Sequence, residues 1–229
     1  MGTLTGQMIA DRAWTKVNEA TGSSAIRWTP AEALMWINDG QRECVNQLPQ
    51  AWSKRATPTL AASSSRQDFA GLSITDGISI IDVVCNYNAG GTTRGRSITK
   101  RERAWFDDQL PTWHNTPGDE VVHWLYDERD PKAFYIVPQP TSGKVELIYS
   151  ALPVDLDDLA SVITLDDIYA NALQFFVLFS FYSKDSTYTK NPSTAAAYWQ
   201  LFMQALGLRG QNLAGNDKIG TVAASGSVG

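Results

Sequence analysis

The stretch that most constrains the fold runs from Thr164 to Gly207, TLDDIYANALQFFVLFSFYSKDSTYTKNPSTAAAYWQLFMQALG. Between Ile168 and Tyr182, the residues Ile168, Leu173, Phe175, Phe176, Leu178, Phe179 and Phe181 leave almost no polar face. A helix that is apolar nearly all round must be covered on most sides. The run is too short and too polar at its ends to cross a bilayer, which takes ~20 predominantly apolar residues. Thr164 is placed to cap the helix, with Asp166 and Asp167 in the first turn where the helix dipole favours acid. A second helix begins at Asn191-Pro192, a cap followed by a proline. Ala195, Tyr198, Trp199, Phe202, Ala205 and Leu206 recur at helical spacing, and Gly207 reads as the stop. The expectation is a helical hairpin with one central arm and one covering arm.

Two further helices are readable near the N-terminus. Residues 4–20 carry Leu4, Met8, Ala13, Val17 and Ala20 in loose helical spacing, and a Gly/Ser break follows at 21–24. At RWTPAEALMWINDGQRECVNQLP, Thr29 caps, Pro30 takes the first helical position and Glu32 closes a capping box. Ala33, Leu34, Ile37, Gln41, Cys44, Val45 and Leu48 make its apolar face. The character then changes. Ile78–Tyr87 is β-branched and ends at Asn88-Ala89-Gly90-Gly91, a strand signature. The runs 121–126, 133–138 and 144–153, separated by turn formers, predict a three-stranded antiparallel meander with prolines at strand ends.

The fold expected is α+β. Helices from both ends form a four-helix bundle, an antiparallel β-rich region is inserted between them, and the chain ends in an extended C-terminal tail. The boundaries read as 1–50 for the N-terminal helices, 51–160 for the β-rich insertion, 161–208 for the hairpin and 209–229 for the tail. The tail is rich in Gly, Ala and Ser without apolar periodicity, so alone it should be extended or disordered. It reads either as a frayed end or as a segment that orders on a partner.

Function is sought where chemistry could sit. Hydrophobic residues are 43% and charged residues 19%, which is globular, and the net charge of −5 argues against a dedicated nucleic-acid binder. The N-terminus lacks a basic region followed by an apolar run, so no secretory leader is expected. Cys44 and Cys85 stand far apart in apolar settings and read as buried free thiols. His114 and His123 have no zinc-site spacing. Gly90-Gly91 and Gly95 are followed by no GK[ST], so they make no phosphate loop. The carboxylates around Asp107, Asp155 and Asp166 read as caps and solvated charge, with a hydrolase pair as the enzymatic alternative. No catalytic, cofactor or metal residue is expected. The sharpest charge feature is the basic run Arg94, Arg96, Lys100, Arg101 and Arg103. It reads as a solvated face, an ion-pairing subunit contact or a DNA contact.

Certain residues together carry a likeness. They are Arg27-Trp28-Thr29 with Glu32, Trp36 through Arg42, Asp107-Asp108 with Pro111 and Trp113, Asp127 through Pro138, Val145 through Ser150, and Tyr169-x-x-Ala172-Leu173 with Lys184-Asp185 and Asn191. In this order and spacing the chain resembles the head-to-tail adaptor (connector) proteins of tailed bacteriophages, of the tail tubular A or short-tailed phage type. The resemblance implies a structural virion protein rather than an enzyme, made in the host cytoplasm and carried at the head–tail junction. It implies a dodecameric ring beneath the portal protein, a tail or nozzle protein docked below, and genomic DNA passing through without specific binding during ejection. It also implies a C-terminal segment reaching the portal, for which Arg209, Leu213, Ile219 and Val222 are the candidates. Arg94, Arg96, Lys100, Arg101 and Arg103 become candidates for the subunit interface or the DNA channel. No membrane or cofactor is implied. The alternative is another tail-completion or tail-platform subunit.

Overall fold

A computed structural model describes residues 2–18, 27–184 and 191–222, with residues 208–222 as backbone. The chain divides into two compact units, residues 1–51 with 153–229, and residues 52–152.

The first unit is helical and is built on α4 (Ala170–Lys184). Ala172, Leu173, Phe176, Val177, Leu178 and Phe181 are buried on several sides of it, as an apolar cylinder requires. α1 (Gly6–Lys16) and α2 (Pro30–Gln47) pack on each other and on α4. Thr5 starts α1 by accepting the Met8 amide at 3.3 Å. The helix closes at Lys16, short of the expected 20, and residues 19–26 lie outside the described ones. In α2 both halves of the predicted capping box are formed: Thr29 Oγ1 accepts the Glu32 amide at 3.4 Å, and Glu32 Oε2 accepts the Thr29 amide at 3.0 Å. Gly40 lets α2 lie close on α4, since a Cβ there would stand 3.0 Å from Phe176 and 3.3 Å from Leu173. Trp14 and Trp28 finish this core. Trp14 Nε1 donates to the Trp28 carbonyl, Trp28 Nε1 donates to the Phe181 carbonyl, and the Trp28 and Phe181 rings stack at 4.7 Å.

Thr164 does not cap α4. Its hydroxyl donates to the Val154 carbonyl at 2.8 Å, and Asp166 instead caps a 3-10 turn at Asp167–Tyr169 that leads into the helix. Ile168 falls in that turn and is exposed rather than part of the core. Asp167 has another use. Its carboxylate accepts the Thr3 amide at 2.7 Å, the Thr3 hydroxyl at 2.6 Å and the Leu4 amide at 3.0 Å, fastening the start of the chain.

α5 (Asn191–Val222) runs for 32 residues, through Gly207, at which the sequence reading ended it. Gly207 keeps a right-handed backbone and is not in the left-handed conformation of a helix stop. A glycine inside a helix costs about 1 kcal/mol against alanine but does not forbid the helix. The segment from Arg209 is therefore helical to Val222, not extended, and residues 223–229 lie outside the described ones.

The expected four-helix bundle is not what forms. The described residues contain five α-helices and three sheets, an α+β fold. Among the described residues α5 packs substantially on α4 alone, through Phe176–Phe202, Phe179–Trp199 and Tyr182–Tyr198, so the four terminal helices do not close around one shared axis. The fifth, α3 (Arg103–Gln109), belongs to the β unit.

The second unit stacks two four-stranded sheets. One has the order β1 (Ser53–Ala56), β10 (Lys144–Ala151), β3 (Gly77–Tyr87), β4 (Arg94–Ser97), all antiparallel. The other has the order β2 (Arg66–Asp68), β8 (Ala133–Val137), β7 (His123–Tyr126), β5 (Thr99–Lys100), with β5 parallel to β7. A two-stranded parallel pair joins β6 (Pro117–Gly118) to β9 (Gln139–Pro140). Between the sheets lie Ile80, Val83, Trp124, Phe134, Ile136, Val145, Leu147 and Tyr149. Alternation along β7 and β8 sends Leu125 and Val137 to the opposite face, where they meet Phe106 and Trp113. The second sheet is thus buried on both faces.

The expected meander is split. β7 and β8 do pair, but β10 leaves them and enters the other sheet between β1 and β3. Period-two patterning places a strand's faces and says nothing of its partner.

Candidate interaction surfaces

The basic run divides into spent and unspent charges. Arg94, on β4, donates to Glu146 at 3.1 Å and to the Tyr87 hydroxyl at 3.1 Å. Arg55 of β1 reaches the same Glu146 oxygen at 3.2 Å. Glu146 is a buried carboxylate in the central strand of its sheet, and Cys85 Sγ donates to it at 3.5 Å. Burial first, then Glu146, pushes the Cys85 thiol above its ordinary range. Deeper burial pushes Cys44 up to about 12. Both thiols are free and buried, as read from the sequence, and stay protonated. The Glu146 cluster was missed. Its signal was a single acid inside KVELIYSA, an otherwise apolar strand.

Lys100 lies over the Trp124 and Tyr126 rings at 5.2 and 5.4 Å, a cation–π seat. Arg103 donates to Asp107 at 3.3 Å, stands 3.9 Å from Asp127 and covers the Tyr135 ring at 5.3 Å. Asp107 also accepts from Trp113 Nε1 at 3.0 Å, and that bond first holds it below the usual carboxylate range. Among the described residues, Arg96 and Arg101 have no ion-pair partner and are exposed. Both act on His123. Burial, then Arg101, and least of all Arg96, lower its pKa and keep the ring neutral. The Phe106 ring sits 5.5 Å from His123, and Trp105 packs edge-on to Phe106 at 4.8 Å. Trp105 itself is exposed, as is Leu110 at the end of α3. Sequence reasoning did not single out either residue. A Trp-Phe pair on a short helix points two ways, so one ring is left outside, and the sequence does not say which.

The other carboxylate candidates have separate structural tasks. Asp155 pairs with Arg42, Asp158 turns the loop by accepting from Ser161, and Asp166 caps the 3-10 turn. Among the described residues no three His, Cys, Asp or Glu side chains come together as a metal site. None of the described helices is long and apolar enough to cross a membrane. His114 lies against Trp113 at 3.6 Å in a 3-10 turn. Arg209, Leu213, Ile219 and Val222 all fall on the distal half of α5.

The chain has been compared with known proteins. The model of the SU10 adaptor protein family matches residues 4–224. The chain belongs to that family. No curated protein matches it.

Proposed function

We propose that this member of the SU10 adaptor protein family is a structural component of a phage virion at the head–tail junction. It assembles with copies of itself into a ring beneath the portal, carries the tail or nozzle protein below, and leaves a central passage for DNA. The observation that carries this reading is the family match, which spans both units and reaches into α5. The physics is compatible. A net charge of −5 gives phosphate little to hold, and three of the five basic-run residues are engaged within the chain. A ring needs heterologous contacts that close, and exposed Trp and Arg are the side chains that most often anchor such contacts. The distal half of α5, with Arg209, Leu213, Ile219 and Val222, is the portal-contacting segment.

The test is genetic and structural. Phage made without this chain should accumulate DNA-filled heads that lack tails, and a tagged copy should appear at the neck of complete particles in electron micrographs. Infectious tailed particles formed without it, or label at the far end of the tail, would overturn the adaptor reading. Truncation after Leu208 should abolish binding to purified portal while residues 2–184 keep their helical and β signals. Undiminished binding would remove the portal role of α5 alone.

A further inference from the structure

The β unit carries a polar cavity that the adaptor reading does not use. It lies where β3 finishes and β10 begins, with Lys144 paired beside Tyr87. The β3–β4 turn, residues 119–120 and residues 142–144 surround a volume of about 550 Å³. That is within the range of small-molecule sites, roughly 300–1,000 Å³. Such sites are usually lined mainly by hydrocarbon. This one is lined by Asn88, Thr93, Asp119, Glu120, Ser142 and Lys144, with Tyr87 adding an aromatic ring.

The walls are fixed before any ligand arrives. Asn88 Oδ1 accepts the Thr92 and Thr93 amides at 2.9 and 3.1 Å and holds the β3–β4 turn. The Thr141 hydroxyl donates to Asp119 at 3.0 Å, which ties the second wall to the third. Two charges are left over. Among the described residues the side chains of Glu120 and Lys144 have neither a hydrogen-bond nor an ion-pair partner, although Lys144 is half-buried.

The mixed sign selects the ligand. An anion would meet Asp119 and Glu120, and a cation would meet Lys144 and Arg94. An apolar molecule would strip water from both signs and return no hydrogen bonds. A free amino acid would answer one charge of each sign and leave Asn88, Thr93 and Ser142 idle. A neutral polyhydroxylated ligand avoids these costs, because each hydroxyl can donate to a carboxylate and accept from an ammonium or an amide. We infer that this cavity binds a short neutral saccharide, with Glu120 as acceptor, Lys144 as donor and Tyr87 as the surface for a sugar's C–H face. The site lies within the β unit and does not depend on the assembly proposed above.

The experiment applies the full chain to an array of neutral oligosaccharides from bacterial surfaces, then titrates the strongest binder by NMR. A neutral glycan should bind, with shifts at the Thr93, Gly95, Gly143 and Lys144 amides. Glu120→Gln and Lys144→Met should each weaken binding on the order of tenfold, the loss of one charged hydrogen bond. Thermal unfolding of both should match the parent, since neither side chain has a partner in the fold. Lys132→Met, outside the cavity, should bind as the parent does. Silence across the array, or binding that both cavity variants leave intact, overturns the assignment. A stronger response to sodium phosphate or to glycine than to any glycan also overturns it, and makes the cavity a site for small charged species.

Discussion

The two units each have a central element covered on most sides, α4 in one and β10 in the other. α4 buries almost nothing but hydrocarbon and aromatic rings, and its neighbours differ mainly in how they fit. β10 buries Val145, Leu147 and Tyr149 on the core face, yet on the other it buries Glu146, held by Arg55, Arg94 and the Cys85 thiol. Nearby, buried Asn86 closes a polar junction. Its side-chain nitrogen donates to the Val121 carbonyl at 2.7 Å and the Arg96 carbonyl at 3.1 Å, and its oxygen accepts the Val121 amide at 3.0 Å. The surroundings of α4 are therefore specified mainly by shape, with the Trp14 and Trp28 indoles as polar ties, and those of β10 by shape plus buried side-chain polar junctions. Removing bulk should hurt the first most, and removing a hydrogen-bonding group the second.

That contrast can be broken or sharpened by substitution. The largest effect is expected from Phe176→Ala, since Phe176 touches Gly40 of α2 and the Trp199 and Phe202 rings of α5. The loss should be about 3–5 kcal/mol in denaturant unfolding. Hydrogen exchange should quicken in α1, α2, α4 and α5, and equal quickening across 52–152 would show that the units are not separately held. Next is Asn86→Ala, which leaves Val121 without partners on both its amide and carbonyl. The expected loss is about 2–3 kcal/mol, confined to the β unit by the same measurement. A cost below that of a surface change would mean polar junctions do not specify this unit. Thr29→Ala removes one arm of the α2 capping box and should cost about 1 kcal/mol, with exchange faster only in the first turn of α2.

The smallest effect is in pH. The Thr3 hydroxyl, then the Leu4 and Thr3 amides, hold the Asp167 carboxylate below its ordinary value of 3.8. A depressed carboxylate stabilises the folded state above its unfolded value, and that contribution is lost as pH falls from there through the folded value. Exchange at Thr3 and Leu4 should thus quicken on acidification below about pH 4. Asp167→Asn should flatten that dependence, and an unchanged acid profile would show that this carboxylate does not hold the chain start.

What was legible follows the same division. The capping box of α2 and the apolar bulk of α4 are local patterns, and local sequence is enough to find them. The route of α5 through Gly207 was not legible, because every local preference there points to a stop. The partner of β10 was not legible either. Its alternation is identical whether it pairs with β8 or with β3 and β1. At the candidate surfaces, the sequence displayed five basic residues in one run but not that Arg94, Lys100 and Arg103 already have partners. The exposure of Trp105 is decided by Trp113 and Leu125 filling the space beside Phe106.

α5 has one more consequence. As an uninterrupted α-helix, its residues are fixed in rotation as well as height. Each residue removed near its middle draws the distal end in by ~1.5 Å and turns it by about 100°. Removing a single residue between Leu206 and Arg209 would therefore point Arg209, Leu213, Ile219 and Val222 in a new direction. Removing seven would restore their heading to within about 20° while shortening the reach by ~10 Å. Insertions and deletions in this arm are governed by phase, so length variants that keep whole turns should function where shorter cuts fail.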